Sequence, residues 1–281
     1  MYDEILYAVD DPVATITLNR PKSLNAWTQR MAAEVRHAVA RAESDAAVVG
    51  IIITGAGRAF CAGADMNNLS SLSEGGRLET DFASLEVHRA EPLPDDFSGE
   101  YTYLLAVRKP IVAAINGPIA GMAVPIALCC DIRFMAADAP LLTAFAERGL
   151  VAEWGISWLL PRVVGTGRAL DLLFSSRRVT GTEAAGIGLV NEAVPADEVV
   201  PRSRRYIEDL ASRCSPESFA IMKRQVYEDL TTRLGPAERE AQRLMIESFG
   251  RPDFKEGVRS FLEKRPPKFG RVGAEPPPGA P

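Results

Sequence analysis

At 281 residues the chain is long for one compact domain and short for two, which predicts a core domain with an appendage. Its composition, 47% hydrophobic and 25% charged, is that of a soluble globular protein large enough to fold without a metal or disulfide staple. With 32 Lys and Arg against 37 Asp and Glu and no long basic run, nucleic acid is not an expected partner.

The chain opens MYDEILYAV, without the basic and apolar regions of an export signal, so a cytoplasmic protein is expected. β-Branched runs at 4–9, 13–19 and 48–54 read as strands. Between the last two, Trp27, Met31, Val35, Ala38 and Ala42 recur at helical spacing and predict a helix with one buried face. Strand and helix signals alternate, the mark of an α/β protein. Residues 70–100 are polar, acidic and broken by Gly and Pro, which reads as a mobile surface segment suited to a lid.

Pro110 to Cys130 carries no charge over a bilayer-crossing length, but Asn116, Gly117, Pro118, Gly121 and Pro125 punctuate it. A buried strand turning into a helix is therefore expected there, not a membrane span. Further strands are predicted at 111–116, 131–136 and 141–145, with helices from about Met122 and about Trp154. From Asp197 only helical patterns follow. In one of them Phe219, Met222, Val226 and Leu230 form a predicted core face, while Glu217, Lys223, Arg224 and Glu228 face water. The division expected is a core over 1–196, a helical region over 197–264 and a disordered, proline-rich tail over 265–281.

Little in the chain recommends the common catalytic engines. Cys61, Cys129, Cys130 and Cys214 are too scattered for a disulfide framework, and no Cys/His spacing or carboxylate cluster suggests a metal. His37 and His88 lie on polar helical faces, which leaves a serine or cysteine triad without its base. In TGAGRAFCAGADM (54–66) the third glycine of a dinucleotide fingerprint is replaced by Phe60. What remains, Cys61 to Ala64, is a run of small residues that serves either tight strand–helix packing or close backbone approach to a ligand. NGPIAGMAVP (116–125) repeats the pattern, and two turns with free N–H groups are the material of an oxyanion hole. Glu153, among Trp154, Trp158 and Leu159, is either an acid at a helix start or a desolvated general base.

Together these segments resemble the crotonase superfamily, the enoyl-CoA hydratases and isomerases. The matching pieces are ITLNRPKSLNAW (16–27), GAGRAFCAGADM (55–66), KPIVAAINGPIAG (109–121), CDIRFMAADA (130–139), RGLVAEWGISWLLPRVVG (148–165), AAGIGLVNEAV (184–194) and FLEKRPPKF (261–269). The resemblance implies a spiral of repeated strand–strand–helix turns with a C-terminal helical trimerisation region, assembled as a homotrimer or hexamer. It implies an acyl-CoA substrate, with coenzyme A as part of that substrate and no separate cofactor or metal. The two oxyanion N–H groups map to Ala64 and Met122, the latter a departure from the usual glycine. Coenzyme A contacts map to Lys22, Leu24, Ala62, Asp65, Met66, Phe261 and Lys264.

The two glutamates of the family's hydratases map to Pro125 and Phe145, neither of which moves a proton, and Glu147 is shifted by two residues from the second. Glu153 instead matches the single carboxylate of several isomerases of the family. The resemblance therefore implies a double-bond shift with Glu153 as base in preference to hydration; the alternative is a non-catalytic acyl-CoA binding homologue.

Overall fold

The computed structural model describes residues 1–65 and 95–273, with Ser70 and Leu85 between them. Ile5–Asp10 (β1) pairs antiparallel with Val13–Leu18 (β2). The sheet continues in parallel from β2 through Gly50–Gly55 (β3), Ile111–Ile115 (β4), Ile132–Ala136 (β6) and Glu192–Val194 (β9). Every position of β3 and β4 is buried, because parallel strands are covered on both faces and so read as continuous apolar runs. A smaller sheet joins Ile119–Ala120 (β5), Pro140–Leu142 (β7) and Val179–Thr180 (β8). Isolated bridges Cys61↔Ile119 and Trp27↔Ala64 carry the same small layer further. Each pass of the chain thus adds a strand to the large sheet and an extended segment to the small one, which is the strand–strand–helix winding expected.

Ten helices are described: Gln29–Ser44 (α1), Tyr103–Ala106 (α2), Ala123–Leu128 (α3), Ile156–Val164 (α4), Thr166–Ser175 (α5), Gly181–Gly186 (α6), Val199–Arg213 (α7), Pro216–Asp229 (α8), Leu234–Phe249 (α9) and Pro252–Glu263 (α10). Thr28 caps α1 by accepting the Met31 N–H at 3.0 Å, and Met31, Val35, Ala38 and Ala42 are all buried along one stripe. Trp27, predicted on that stripe, lies instead ahead of the extended cap residue and pairs with Ala64. The uncharged stretch from Pro110 resolves into β4, β5 and α3, and no described helix is long and apolar enough to cross a membrane. After β9 the described chain is helical. Helix α7 packs so closely on the sheet that a Cβ at Gly50 would stand 2.9 Å from the Ile207 side chain.

Helix α8 keeps its predicted faces only in part: Glu217, Arg224 and Glu228 are exposed and Phe219 packs against the core, but the rest of the predicted apolar face turns outward. Met222 and Val226 are each 60% exposed, whereas Lys223 turns inward and its Nζ lies 2.8 Å from Asp131 Oδ2. The Lys223 ammonium also donates to the Leu104 carbonyl at 3.0 Å, and the Tyr227 hydroxyl donates to Asp131 Oδ1 at 3.1 Å. Pairing replaces the hydration that a buried ammonium loses, so a polar residue can take the inner face. Part of the predicted disordered tail is likewise held. Arg265 pairs with Glu256, the Lys268 N–H donates to Glu256 Oε1 at 2.8 Å, and Arg271 reaches back to Asp11 at 3.0 Å. Residues 274–281 lie outside the described residues.

Candidate active site

The loops that follow β3 and β4 run side by side because two asparagines hold them. Asn116 makes a reciprocal amide pair with Gly55: its Oδ1 accepts the Gly55 N–H at 3.1 Å and its Nδ2 donates to the Gly55 carbonyl at 2.9 Å. From the other side Asn25, fully buried at φ 57°, donates to the Ala56 and Ala59 carbonyls, both at 2.9 Å. The Phe60 and Cys61 N–H groups then donate to the Pro118 carbonyl, and the Ala120 N–H donates to the Cys61 carbonyl at 3.1 Å. This short parallel register brings Gly63 alongside Gly121.

Both glycines are left-handed, at φ 95° and φ 54°. A Cβ on Gly63 would stand 2.9 Å from the Ala120 carbonyl oxygen, so the close approach requires glycine there. Ala64 and Met122 follow these turns. Among the described residues neither of their N–H groups has an acceptor, whereas the flanking Asp65 and Gly121 N–H groups donate to Trp27 and Leu142 at 3.0 Å each. Two backbone donors on adjoining turns are thus left for a ligand oxygen. Met122 is buried at the head of α3, and its side chain fills space that glycine would leave open.

Glu153 stands between a 3-10 turn, Ala146–Arg148, and α4. It lies ahead of the helix rather than in it: Gly155 is the cap, at φ 76°, and the Glu153 carbonyl accepts the Ile156 N–H at 3.0 Å. Its side chain is half-buried, and no ion pair or hydrogen bond engages the carboxylate among the described residues. The apolar cover expected around it is incomplete, since Leu159 is buried but Trp154 is 40% exposed. Pro125 and Phe145 are buried, and Glu147 is exposed on the 3-10 turn.

Trp154 belongs to an aromatic ladder. Its ring meets Tyr101 edge-on with centroids 5.1 Å apart, and Tyr101 meets Trp27 edge-on at 5.7 Å. Burial pushes the Tyr101 hydroxyl well above the ordinary phenol range, so it stays neutral. The Trp27 indole lies near that hydroxyl, yet among the described residues its N–H meets no acceptor at hydrogen-bonding geometry.

Of the positions mapped to coenzyme A, the structure joins Leu24 and Ala62 directly, through an Ala62 N–H to Leu24 carbonyl bond of 3.0 Å. Lys22 is exposed on the neighbouring 3-10 turn. Asp65 turns its carboxylate inward to Arg20 at 2.8 Å, so that side chain braces the loop after Ala64. Met66 lies outside the described residues, as do His88 and most of 70–100. Phe261, 83% exposed, and Lys264, the C-cap of α10 at φ 52°, stand on the last helix. No hydrogen bond or ring contact among the described residues joins either to Ala64, Met122 or Glu153.

Sequence reading missed Asn25, Asn116, Arg20 and Tyr101 as parts of the site. Asn116 was visible only as loop punctuation, and Asn25 gains its role from a left-handed backbone that its type tolerates. Tyr101, in GEYTYLL just after the polar stretch, carries the one signal that was available: paired tyrosines ahead of an apolar run.

The Enoyl-CoA hydratase/isomerase family profile matches residues 9–272. A probable enoyl-CoA hydratase of Rhodobacter capsulatus is 35% identical over 269 residues, covering 95% of this chain and 98% of the relative. The 1,2-epoxyphenylacetyl-CoA isomerase of Escherichia coli is 32% identical over 279 residues, covering 96% and 99%. Among solved structures, a probable enoyl-CoA hydratase/isomerase from Mycobacterium abscessus superposes with a TM-score of 0.82 at 28% identity, covering 95% of this chain and 99% of that one.

Proposed function

Because the chain belongs to the enoyl-CoA hydratase/isomerase family, we propose that it shifts a double bond within an acyl-CoA thioester, with Glu153 as its base. The observation that carries this reading is the set of residues at the three positions where the family places carboxylates. Pro125 and Phe145 are buried and carry no proton, and only Glu153 offers an unengaged carboxylate. In this reading the thioester oxygen sits against the Ala64 and Met122 N–H groups. Glu153 takes a proton from C2 of a 3-enoyl-CoA; the C2–H electron pair moves toward the thioester carbonyl, giving an enolate conjugated with the C3–C4 double bond whose oxygen the two N–H groups stabilise. The same carboxyl returns the proton to C4, giving the conjugated 2-enoyl-CoA. One carboxyl balances both transfers, whereas hydration normally uses a second group to position water.

Coenzyme A enters as part of the substrate, with contacts at Lys22 and Leu24, at Ala62, Asp65 and Met66, and at Phe261 and Lys264. No separate cofactor is needed. A homotrimer or hexamer is part of the reading, supported by exposed apolar residues on the C-terminal helices: Met222, Val226, Met245, Ile246, Phe254 and Phe261. Light scattering that gives a monomer at micromolar concentration would remove that part.

The test of the chemistry is Glu153→Gln. Turnover of 3-enoyl-CoA to the conjugated product should fall about 100- to 10,000-fold while thioester affinity stays within a few fold, since a proton carrier is lost and shape is kept. Wild-type kcat in that variant would return Glu153 to the role of a helix-end acid. Clear thioester binding with no turnover of either enoyl isomer by the unmodified protein would favour a binding homologue.

A further inference from the structure

We propose that Trp154, backed by Tyr101 and Trp27, is the wall of the acyl site and selects thioesters whose acyl group carries a ring close to the reacting carbons. The inference rests on the acyl-CoA reading above and names its substrate class.

The ladder spans the distance over which the chemistry must act. At one end Trp27 is bonded into the oxyanion loop twice, its N–H donating to Gly63 at 2.7 Å and its carbonyl accepting from Asp65 at 3.0 Å. At the other end Trp154 directly follows Glu153. An acyl group held by its thioester oxygen at Ala64 and reacting at Glu153 therefore runs along these rings. Their edge-on contacts, at interplanar angles of 80° and 65°, fix each ring against the next. Trp27 and Tyr101 are 4% and 5% exposed, so they serve as backing, and Trp154, at 40%, is the ring that presents open surface.

Two further observations give that surface its preference. Trp154 holds φ 56°, an uncommon conformation for a bulky residue, so the backbone is strained at the place where the indole is turned outward. Among the described residues the wall is also neutral, because burial keeps the Tyr101 hydroxyl protonated and no cationic side chain of theirs stacks on any of the three rings. A flat, rigid, uncharged ring meets such a face with little entropy to lose, and ring–ring contact adds affinity beyond the area buried. A flexible chain gains area alone, and an acyl group with a terminal carboxylate would be desolvated without a partner.

The experiment is calorimetric titration of the full chain with hexanoyl-CoA, which is saturated, and phenylacetyl-CoA, whose only unsaturation beyond C2 is an aromatic ring that does not give up a double bond, so that both bind without turnover. Trp154→Leu should weaken phenylacetyl-CoA by roughly 2- to 12-fold and hexanoyl-CoA by less than twofold. Trp154→Phe, which restores a ring, should recover phenylacetyl-CoA affinity to within about threefold of the unmodified protein. Equal weakening of both thioesters, or no weakening of either, would overturn the proposal, as would failure of both to bind the unmodified protein. Because neither probe reacts, a loss of the double-bond-shift reading leaves this result standing, and an inverted preference sinks the wall while leaving the chemistry untouched.

Discussion

Gly63 and Gly121 lie against each other: a Cβ built on Gly63 would come within 3.7 Å of the Gly121 Cα and 2.9 Å of the Ala120 carbonyl oxygen. This contact sets the separation of the two free N–H groups that follow. The converse is asymmetric, since a Cβ on Gly121 meets nothing closer than 3.9 Å. Both positions carry positive φ, at a cost of about 1–2 kcal/mol for alanine. Gly63→Ala adds the displacement of a backbone carbonyl. We expect Gly63→Ala to lose at least tenfold more turnover than Gly121→Ala at comparable melting temperature, read from steady-state kinetics of both variants. Equal losses would mean that left-handed strain, not the contact between the turns, governs the site.

The Lys223–Asp131 pair binds α8 to the core. Side-chain exposures of 9% and 17% make it a mostly buried pair, and removing one partner of such a pair leaves the other uncompensated. Lys223→Met should therefore destabilise the fold by about 3 kcal/mol, measured as a shift in urea midpoint, although methionine is the more apolar residue. Asp131→Asn in the same chain should return part of the loss, because the remaining buried group is then neutral.

That pair also marks where sequence pattern stops being a guide. The stripe on α1 was legible because Met31, Val35, Ala38 and Ala42 have no alternative but the core. On α8 the apolar stripe and the buried face differ: Met222 and Val226 stay outside, and the long Lys223 side chain reaches a carboxylate in another part of the fold. Periodicity reports that a helix has two faces; which one packs inward depends on partners distant in sequence. The two glycine turns were legible as a repeat, but their adjacency comes from Asn25 and Asn116, whose side chains act across 31 to 61 residues of chain. The helices expected from about Met122 and about Trp154 begin at Ala123 and Ile156, the second set back by the left-handed cap Gly155 at φ 76°. Residues 265–273, rich in proline, are held by Glu256 and Asp253, which composition alone does not reveal.

The thiols give a prediction in pH. Cys61, Cys129 and Cys130 are buried and Cys214 is exposed. Burial pushes Cys61 and Cys129 each up to about 12, from an ordinary 9. With the folded value above the unfolded one, the stability these groups contribute is fully present below pH 9 and is lost as pH rises from 9 toward 12, since the unfolded chain ionises first. A thiol-reactive disulfide reagent at pH 8 should accordingly titrate Cys214 alone in the native protein and all four after denaturation. Melting temperature should fall steadily above pH 9. Rapid reaction of more than one thiol in the native protein would contradict the buried placement.

Restoring one missing glutamate should not make a hydratase. Phe145 is 4% exposed, and the other position is Pro125, buried in the first turn of α3, where no side-chain carboxylate is available. Phe145→Glu places a lone carboxyl in apolar surroundings, where the neutral form is favoured and water finds only half of the pair that would orient it. The variant should keep less than a few per cent of its product as 3-hydroxyacyl-CoA, with the proposed double-bond shift through Glu153 reduced only by the disturbance of packing at residue 145. Product analysis of 3-enoyl-CoA and 2-enoyl-CoA incubations reads both reactions at once. Rapid 3-hydroxyacyl-CoA formation by Phe145→Glu would show that one carboxyl suffices for water addition in this site. The same product from the unmodified protein would move the water-handling role to Glu153, with Glu147 as its nearest carboxylate in the chain.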